Sequence, residues 1–378
     1  MENREASLRS TAVFAVIHFL VDLVCIFLLT AFIVPMVRDR KVWMLCVLLY
    51  NFCAFALQLP VGALGDRWQK PRLLSAVGCI LIAGALLLIQ AGHAVLPGEW
   101  MLFGWPLLVS AVAGIGNSCF HVGGGIEVLK NSGGRAALPG VYVSTGAFGV
   151  WLGPVLAAKQ AARTFGILIG ILLMTASGAV LLVRHKAEVR GAGLPEKSDA
   201  GTPEITGGWA DMLGAAALCL IVTVLLRSYA VTIMGFGWKK AFLGFLFTAG
   251  VVFGKMAGGF LGDRIGWMRA ALLSLGGSAV LFGLAAERPA FGIAAVFLFN
   301  MTMPLTLSAL ARLYGGAVGT AFGMLTLALF LGTLPSMMTS AGWIPGGSFR
   351  MLPAVSLLSA ALMAAGLSMA SRKRGEAS

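Results

Sequence analysis

Twelve near-continuous apolar runs, most of 17 residues or more, divide this chain of 378 residues and constrain its fold more than any other feature. A run of that length is what the hydrocarbon thickness of a bilayer demands of a helix, and it exceeds what a soluble core requires. The expected spans are 11–36, 42–64, 73–92, 100–120, 138–158, 164–183, 210–234, 241–261, 270–286, 290–310, 316–338 and 351–370. Twelve spans of about 20 residues use about 240 residues, which leaves connections and tails but no soluble domain of ordinary size. Only 11% of the residues are charged, against roughly 25% in soluble domains. The pattern implies an all-α integral membrane protein of twelve transmembrane helices with the lipid bilayer as solvent. It excludes disordered, collagen-like and disulfide-rich secreted chains. The opening Met-Glu-Asn-Arg-Glu lacks the basic region and cleavage site of a secretory signal, so the first run is expected to remain as a span.

One long polar segment, 184–209, holds glycine, proline and both charge signs with no apolar period. It reads as a linker, giving an N-terminal six-helix bundle (1–184), a cytoplasmic linker (185–209) and a C-terminal six-helix bundle (210–378). The halves repeat each other. Leu59-Pro-Val-Gly-Ala-Leu-Gly-Asp66-Arg67 returns 197 residues later as Met256-Ala-Gly-Gly-Phe-Leu-Gly-Asp263-Arg264, and Arg72 matches Arg269. Parallel repeats of this kind build transporters whose substrate site lies at the midplane between two bundles.

With both termini inside, 17 of the 28 Lys and Arg residues fall on inner segments, nine on outer ones and two within spans. This follows the positive-inside rule, with Arg38–Lys41 as a local violation. The net charge of +13 is therefore a topology signal facing anionic inner-leaflet lipid, and no nucleic-acid partner is implied. Cys25, Cys46, Cys53, Cys79, Cys119 and Cys219 all lie in apolar stretches without a CxxC pair and read as packing residues. No metal site and no cofactor is expected. Gly250-Val-Val-Phe-Gly254-Lys255-Met is one residue short of a phosphate loop and has Met where Ser or Thr is required. With no nucleotide site, no HExxH and no nucleophile elbow, the chain does not read as an enzyme, and uphill movement must draw on an ion gradient.

The repeated Gly-x-Leu-Gly-Asp-Arg resembles the loop motif of the major facilitator superfamily, found between spans 2 and 3 and again between 8 and 9. Gly62 and Gly259 would let helices approach closely. Asp66 and Asp263, next to Arg67 and Arg264, would accept from a neighbouring helix N-terminus or a basic residue and so latch one conformation. The first copy departs from the pattern at Gln69 and Pro71. In span 5, Gly140-x8-Gly149-x3-Gly153-Pro154 resembles the superfamily's antiporter motif, in which glycines pack tightly and a proline bends the helix. Glycine is common in this chain at 50 residues, so chance placement is the competing reading.

A narrower resemblance is to the fosmidomycin-resistance branch, proton-driven exporters of small and often anionic drugs. It is carried by His18-Phe-Leu-Val-Asp22, by Gln58-Leu-Pro-Val-Gly62 through Asp66, and by Gly114-Ile-Gly-Asn-Ser-Cys-Phe120-His121 running into Ser132-Gly-Gly-Arg135. Where the branch has Pro-Glu after Phe-His, this chain has Val122-Gly-Gly-Gly125, with Glu127 nearby. The resemblance implies a bacterial inner-membrane, multi-pass protein acting on a small-molecule substrate and protons. Both termini are expected to be cytoplasmic from the Lys and Arg bias, and the protein is expected to be a monomer.

Ionisable residues inside spans cost about 2.5–3.5 kcal/mol each on insertion scales, which makes each one a functional candidate. His18 and Asp22 are four apart on one helix face, where a proton could sit between them. A satisfied interhelical hydrogen bond is the alternative. His121 and Glu127, at the inner end of span 4, could do similar work, or Glu127 could lie in the following loop as a wetted charge. Arg227 and Lys255 would hold charge on an anionic cargo, or be buried pairs, for instance with Asp22. Asn51, Asn117 and Asn300 add hydrogen-bonding capacity at the cargo site or between helices. The expectation is a proton-coupled antiporter exporting a small amphiphilic or anionic compound by alternating access. An importer or uniporter of a small organic anion on the same fold, and a non-transporting membrane sensor or assembly factor, are the rivals.

Overall fold

Each apolar run becomes a helix because lipid offers no partner for backbone N–H and C=O groups, which must then be satisfied within the segment. The computed structural model describes residues 2–37, 39–95, 103–191, 207–284, 288–340 and 342–375. Among them are twelve helices long and apolar enough to cross a membrane. They are α1 Arg4–Met36, α2 Arg40–Trp68, α3 Pro71–Gly92, α4 Gly104–Asn131, α5 Ala137–Ala157, α6 Gln160–Arg184, α7 Met212–Ile233, α8 Ala241–Ile265, α9 Trp267–Leu284, α10 Pro289–Tyr314, α11 Val318–Ser340 and α12 Phe349–Ser371. The chain is a multi-pass membrane protein.

Helix neighbours follow the sequence repeat. α1 packs on α5 as α7 packs on α11, α3 on α6 as α9 on α12, and α2 on α4 as α8 on α10. Two further seams, α2 with α11 and α5 with α8, join the first six helices to the last six. They exchange places when the halves are swapped, so the packing carries a pseudo-twofold.

Prolines shape three spans. The backbone widens into π turns at Leu29–Ile33 and Phe52–Ala56, each just ahead of a proline, Pro35 and Pro60. A proline supplies no N–H, and its ring crowds the carbonyl four residues earlier. In α10 the helix breaks at Met301, just ahead of Pro304.

Two boundaries differ from the sequence expectation. α4 does not end near residue 120 but continues to Asn131, because Gly123, Gly124 and Gly125 are packing contacts and not a break. A Cβ at Gly123 would overlap the Pro71 carbonyl, and one at Gly125 the ring of Phe322. Glu127 is accordingly inside a helix and buried, not in a wetted loop. The sixth helix runs on to Gly191, and the next begins at Gly207. The rest of the expected linker, 192–206, lies outside the described residues.

The glycines singled out in the sequence occupy helix crossings. A Cβ on Gly62 would overlap the carbonyl of Gly319, and one on Gly259 the carbonyl of Ala136. These close approaches sit on the α2–α11 and α5–α8 seams. Gly149 lies against the Phe19 carbonyl and Gly153 against Phe27, both on α1, whereas Gly140 faces the Lys255 carbonyl on α8. The span-5 glycine series thus serves two different interfaces, with Pro154 inside the last turn of α5. Gly62→Val is expected to prevent the α2–α11 contact. In a background freed of native cysteines, Ile126→Cys, at this crossing, should then react several-fold faster with a maleimide. An unchanged rate would mean that this contact does not open and close.

Candidate functional site

Four polar side chains converge inside the first six helices. His18 and Asp22 lie one turn apart on α1, and Asn117 and His121 one turn apart on α4, so each pair shares a helix face. His18 and His121 are buried at 5% and 8% exposure, and Asn117 at 2%. His18 Nε2 lies 2.8 Å from His121 Nε2. Asp22 bridges them, with Oδ2 3.3 Å from His18 Nε2 and Oδ1 3.5 Å from His121 Nε2. Asn117 Nδ2 donates to Asp22 Oδ1 at 3.3 Å.

The outer ring nitrogens decide the protonation pattern. His18 Nδ1 is 2.7 Å from the Tyr142 carbonyl and His121 Nδ1 is 2.9 Å from the Asn117 carbonyl. Carbonyl oxygens only accept, so each Nδ1 carries a hydrogen and donates it. Both Nε2 atoms would then present lone pairs to each other at 2.8 Å, which is repulsive unless a proton lies between them. With that proton the two rings form a cation, and the Asp22 carboxylate beside them balances it.

Gly146 makes room for this cluster. A Cβ there would fall on Asp22 Oδ2 and His18 Nε2. Nothing in the sequence singled it out from the neighbouring glycines, although it stands three residues before Gly149.

Glu127 does not join the histidines. Its Oε1 accepts from Arg72 Nη2 at 2.8 Å, Arg72 Nε at 3.0 Å and Asn131 Nδ2 at 3.0 Å. Ser10 Oγ donates to the same oxygen at 3.3 Å and accepts from Arg72 Nη2 at 3.2 Å. This is a buried ion pair tying α1, α3 and α4 together. The sequence did offer a signal for it, since an acid within an apolar span must find a basic partner.

The cations of the second half are differently placed. Arg227, buried at 5% exposure, donates to Thr306 Oγ1 at 3.4 Å. Lys255 Nζ donates to the Val143 carbonyl at 3.1 Å, across the α5–α8 seam. Among the described residues neither has a carboxylate within ion-pair distance, so pairing with Asp22 is not what holds them. Lys255 lies within electrostatic range of both Arg227 and Asp22. Asn51 and Asn300 donate to the carbonyls four residues back on their own helices. Of the three asparagines, Asn117 alone is placed in a charged cluster.

At one end of the bundle, aspartates join the halves. Asp66 accepts from the backbone N–H groups of Gly319 and Thr320, at 2.7 and 2.8 Å, and from the Thr320 hydroxyl at 2.8 Å. Asp263 accepts from the N–H groups of Ala136 and Ala137, both at 2.9 Å, and from Trp267 Nε1 at 3.1 Å. Each carboxylate therefore caps the N-terminus of a helix from the other half, where the helix dipole favours negative charge. Arg67 and Arg264 are exposed. Arg312, which the sequence did not flag, stacks 3.7 Å over the Trp267 ring and donates to the Gly134 carbonyl.

No family model matches the sequence. Over 112 residues, 29% of this chain, it is 34% identical to the fosmidomycin resistance protein of Escherichia coli (strain K12). The match spans a quarter (25%) of that relative's length. Solved structures match along nearly the whole chain. A bacterial homologue of the iron transporter ferroportin, in an outward-facing state, superposes with a TM-score of 0.64 at 14% identity, over 96% of this chain and 98% of the other. A bacterial homologue of ferroportin in an outward-facing state with soaked iron gives a TM-score of 0.63 at 16% identity, over 95% and 98%. A variant of the E. coli fucose:proton symporter gives 0.58 at 12% identity, again over 96% and 98%. These likenesses show the architecture: the chain has the twelve-helix major facilitator fold, as its repeated Gly-x-Leu-Gly-Asp-Arg led us to expect.

Proposed function

We propose that this protein is a secondary active transporter that exchanges protons for a small amphiphilic or anionic compound and exports it by alternating access. The observation that carries the reading is the 2.8 Å contact between two histidines whose outer nitrogens are both committed as donors. Such a pair holds one proton deep in a membrane protein, with the Asp22 carboxylate balancing its charge. His18, Asp22 and His121 are assigned to proton coupling on this ground, with Asn117 orienting Asp22. Glu127 is assigned to structure.

Among the described residues Arg227 and Lys255 supply positive charge without a carboxylate within ion-pair distance, which favours an anion as cargo. The bundles 1–184 and 210–378 are the moving units. The aspartate caps and glycine crossings latch them on the end expected to face the cytoplasm, so the latched form is the outward-facing one. Export is favoured over import by the local likeness to a resistance protein.

One proton crossing 100 mV releases about 2.3 kcal/mol, enough for nearly a fiftyfold concentration ratio. Purified protein in vesicles with an imposed proton gradient is expected to move a small organic anion against the proton's direction. Movement in the same direction as the proton would replace antiport with symport. Gradient-independent movement would leave a uniporter.

A further inference from the structure

We propose that His18, Asp22 and His121 also form a binding site for a divalent 3d metal cation, which takes the place of the shared proton. The donor set is two imidazole nitrogens and one carboxylate, all offering one ligand atom within 4.8 Å of one another. That combination suits the cations from Mn²⁺ to Zn²⁺, whereas Mg²⁺ and Ca²⁺ prefer sites made of oxygen alone.

The distances fit. Donors about 2.1 Å from a shared ion lie about 3.0 Å apart when they subtend a right angle, and about 3.4 Å apart at the tetrahedral angle. The observed separations are 2.8 Å between the imidazoles and 3.3 and 3.5 Å from each to the carboxylate. Three donors so spaced occupy one face of a coordination sphere and leave the opposite positions open for water or a ligand.

The surroundings are those a metal site needs. A ligating histidine ordinarily donates its other ring N–H to a carbonyl or carboxylate, which fixes its tautomer and aims the lone pair. Both histidines here do so, to Tyr142 and to Asn117. Asn117 also holds the carboxylate through its amide nitrogen. Its amide oxygen is buried with no hydrogen-bond partner among the described residues, and a water on the ion would be the donor that oxygen lacks. Gly146 leaves the Asp22 carboxylate and His18 Nε2 free to meet. The sequence could not show this site, because its ligands come from two helices 103 residues apart between His18 and His121, with no metal-ligand spacing along the chain.

Tag-free protein in detergent is titrated with Co²⁺ and followed by its visible absorption, which reports nitrogen and oxygen ligation directly. One saturable Co²⁺ per chain is expected, displaced by Zn²⁺ and not by Mg²⁺. His121→Ala and Asp22→Asn should each weaken binding tenfold or more. Asn117→Ala keeps all three ligands and should weaken it by about 10- to 100-fold, as loss of a supporting hydrogen bond does. This variant serves if the ligand variants fail to elute as folded protein. Absence of saturable Co²⁺ binding by the unaltered protein would overturn the proposal, as would binding that His121→Ala leaves unchanged. The titration uses neither cargo nor gradient. Metal binding without proton-driven flux would therefore sink the transport reading alone, and flux without metal binding would sink this one alone.

Discussion

Asp22→Asn is expected to bring proton-driven movement of cargo down to the level of protein-free vesicles while cargo-for-cargo exchange continues. Asparagine keeps the size and most of the hydrogen bonding of the native side chain, including an acceptor for Asn117. What it removes is the negative charge that balances the proton shared by His18 and His121. An uncompensated charge at membrane depth costs about 2.5–3.5 kcal/mol on insertion scales, and at 1.4 kcal/mol per factor of ten this lowers proton occupancy roughly a hundredfold. The gradient then has nothing to act on. Exchange of one cargo molecule for another needs the bundles to rock and no net proton movement, so it tests whether the variant is folded and mobile. Both fluxes are measured in the same vesicles. Gradient-driven movement at the native rate would remove Asp22 from the coupling mechanism.

The contrast between what the sequence announced and what it hid has a physical origin. Span number and order were readable because bilayer thickness forces about 20 apolar residues per helix, whatever that helix touches. The pairing of halves was readable because Asp66 and Asp263 recur in one motif. Side-chain partners were not. They depend on helix rotation and depth, which hydropathy does not encode, because a helix that is apolar all round has no marked face. His18 and Asp22 were paired correctly as neighbours on one turn. The arrival of His121 beside them required knowing how α1 and α4 are rotated against each other. Arg72 and Arg269 occupy equivalent places in the repeat, yet only Arg72 is buried, where it meets Glu127 on α4. The repeat fixes backbone positions, and single substitutions then give its two copies different work.

That asymmetry carries the largest expected effect on stability. Glu127→Ala would remove the carboxylate from Arg72, which is 6% exposed, and leave its guanidinium facing Ser10 between α1, α3 and α4. Breaking a buried ion pair from one side costs up to about 3–5 kcal/mol, because the remaining charge keeps its desolvation penalty and loses this carboxylate. Replacing both partners with apolar residues of similar volume is nearly neutral in comparable pairs, since both penalties vanish together. Thermal unfolding in detergent should therefore show a steep loss for Glu127→Ala and recovery of most of it in Arg72→Met/Glu127→Leu. The double variant should also keep proton-driven transport, since neither residue touches the His18–Asp22–His121 cluster. If it is stable but loses coupling while cargo exchange persists, Glu127 returns to the proton path and its assignment to structure fails. A double variant as unstable as the single one would show instead that the pair positions the three helices and not merely that its charges need each other. The two outcomes separate a proton carrier from a structural pair, which burial and hydrogen bonding alone do not distinguish for a carboxylate inside a membrane helix.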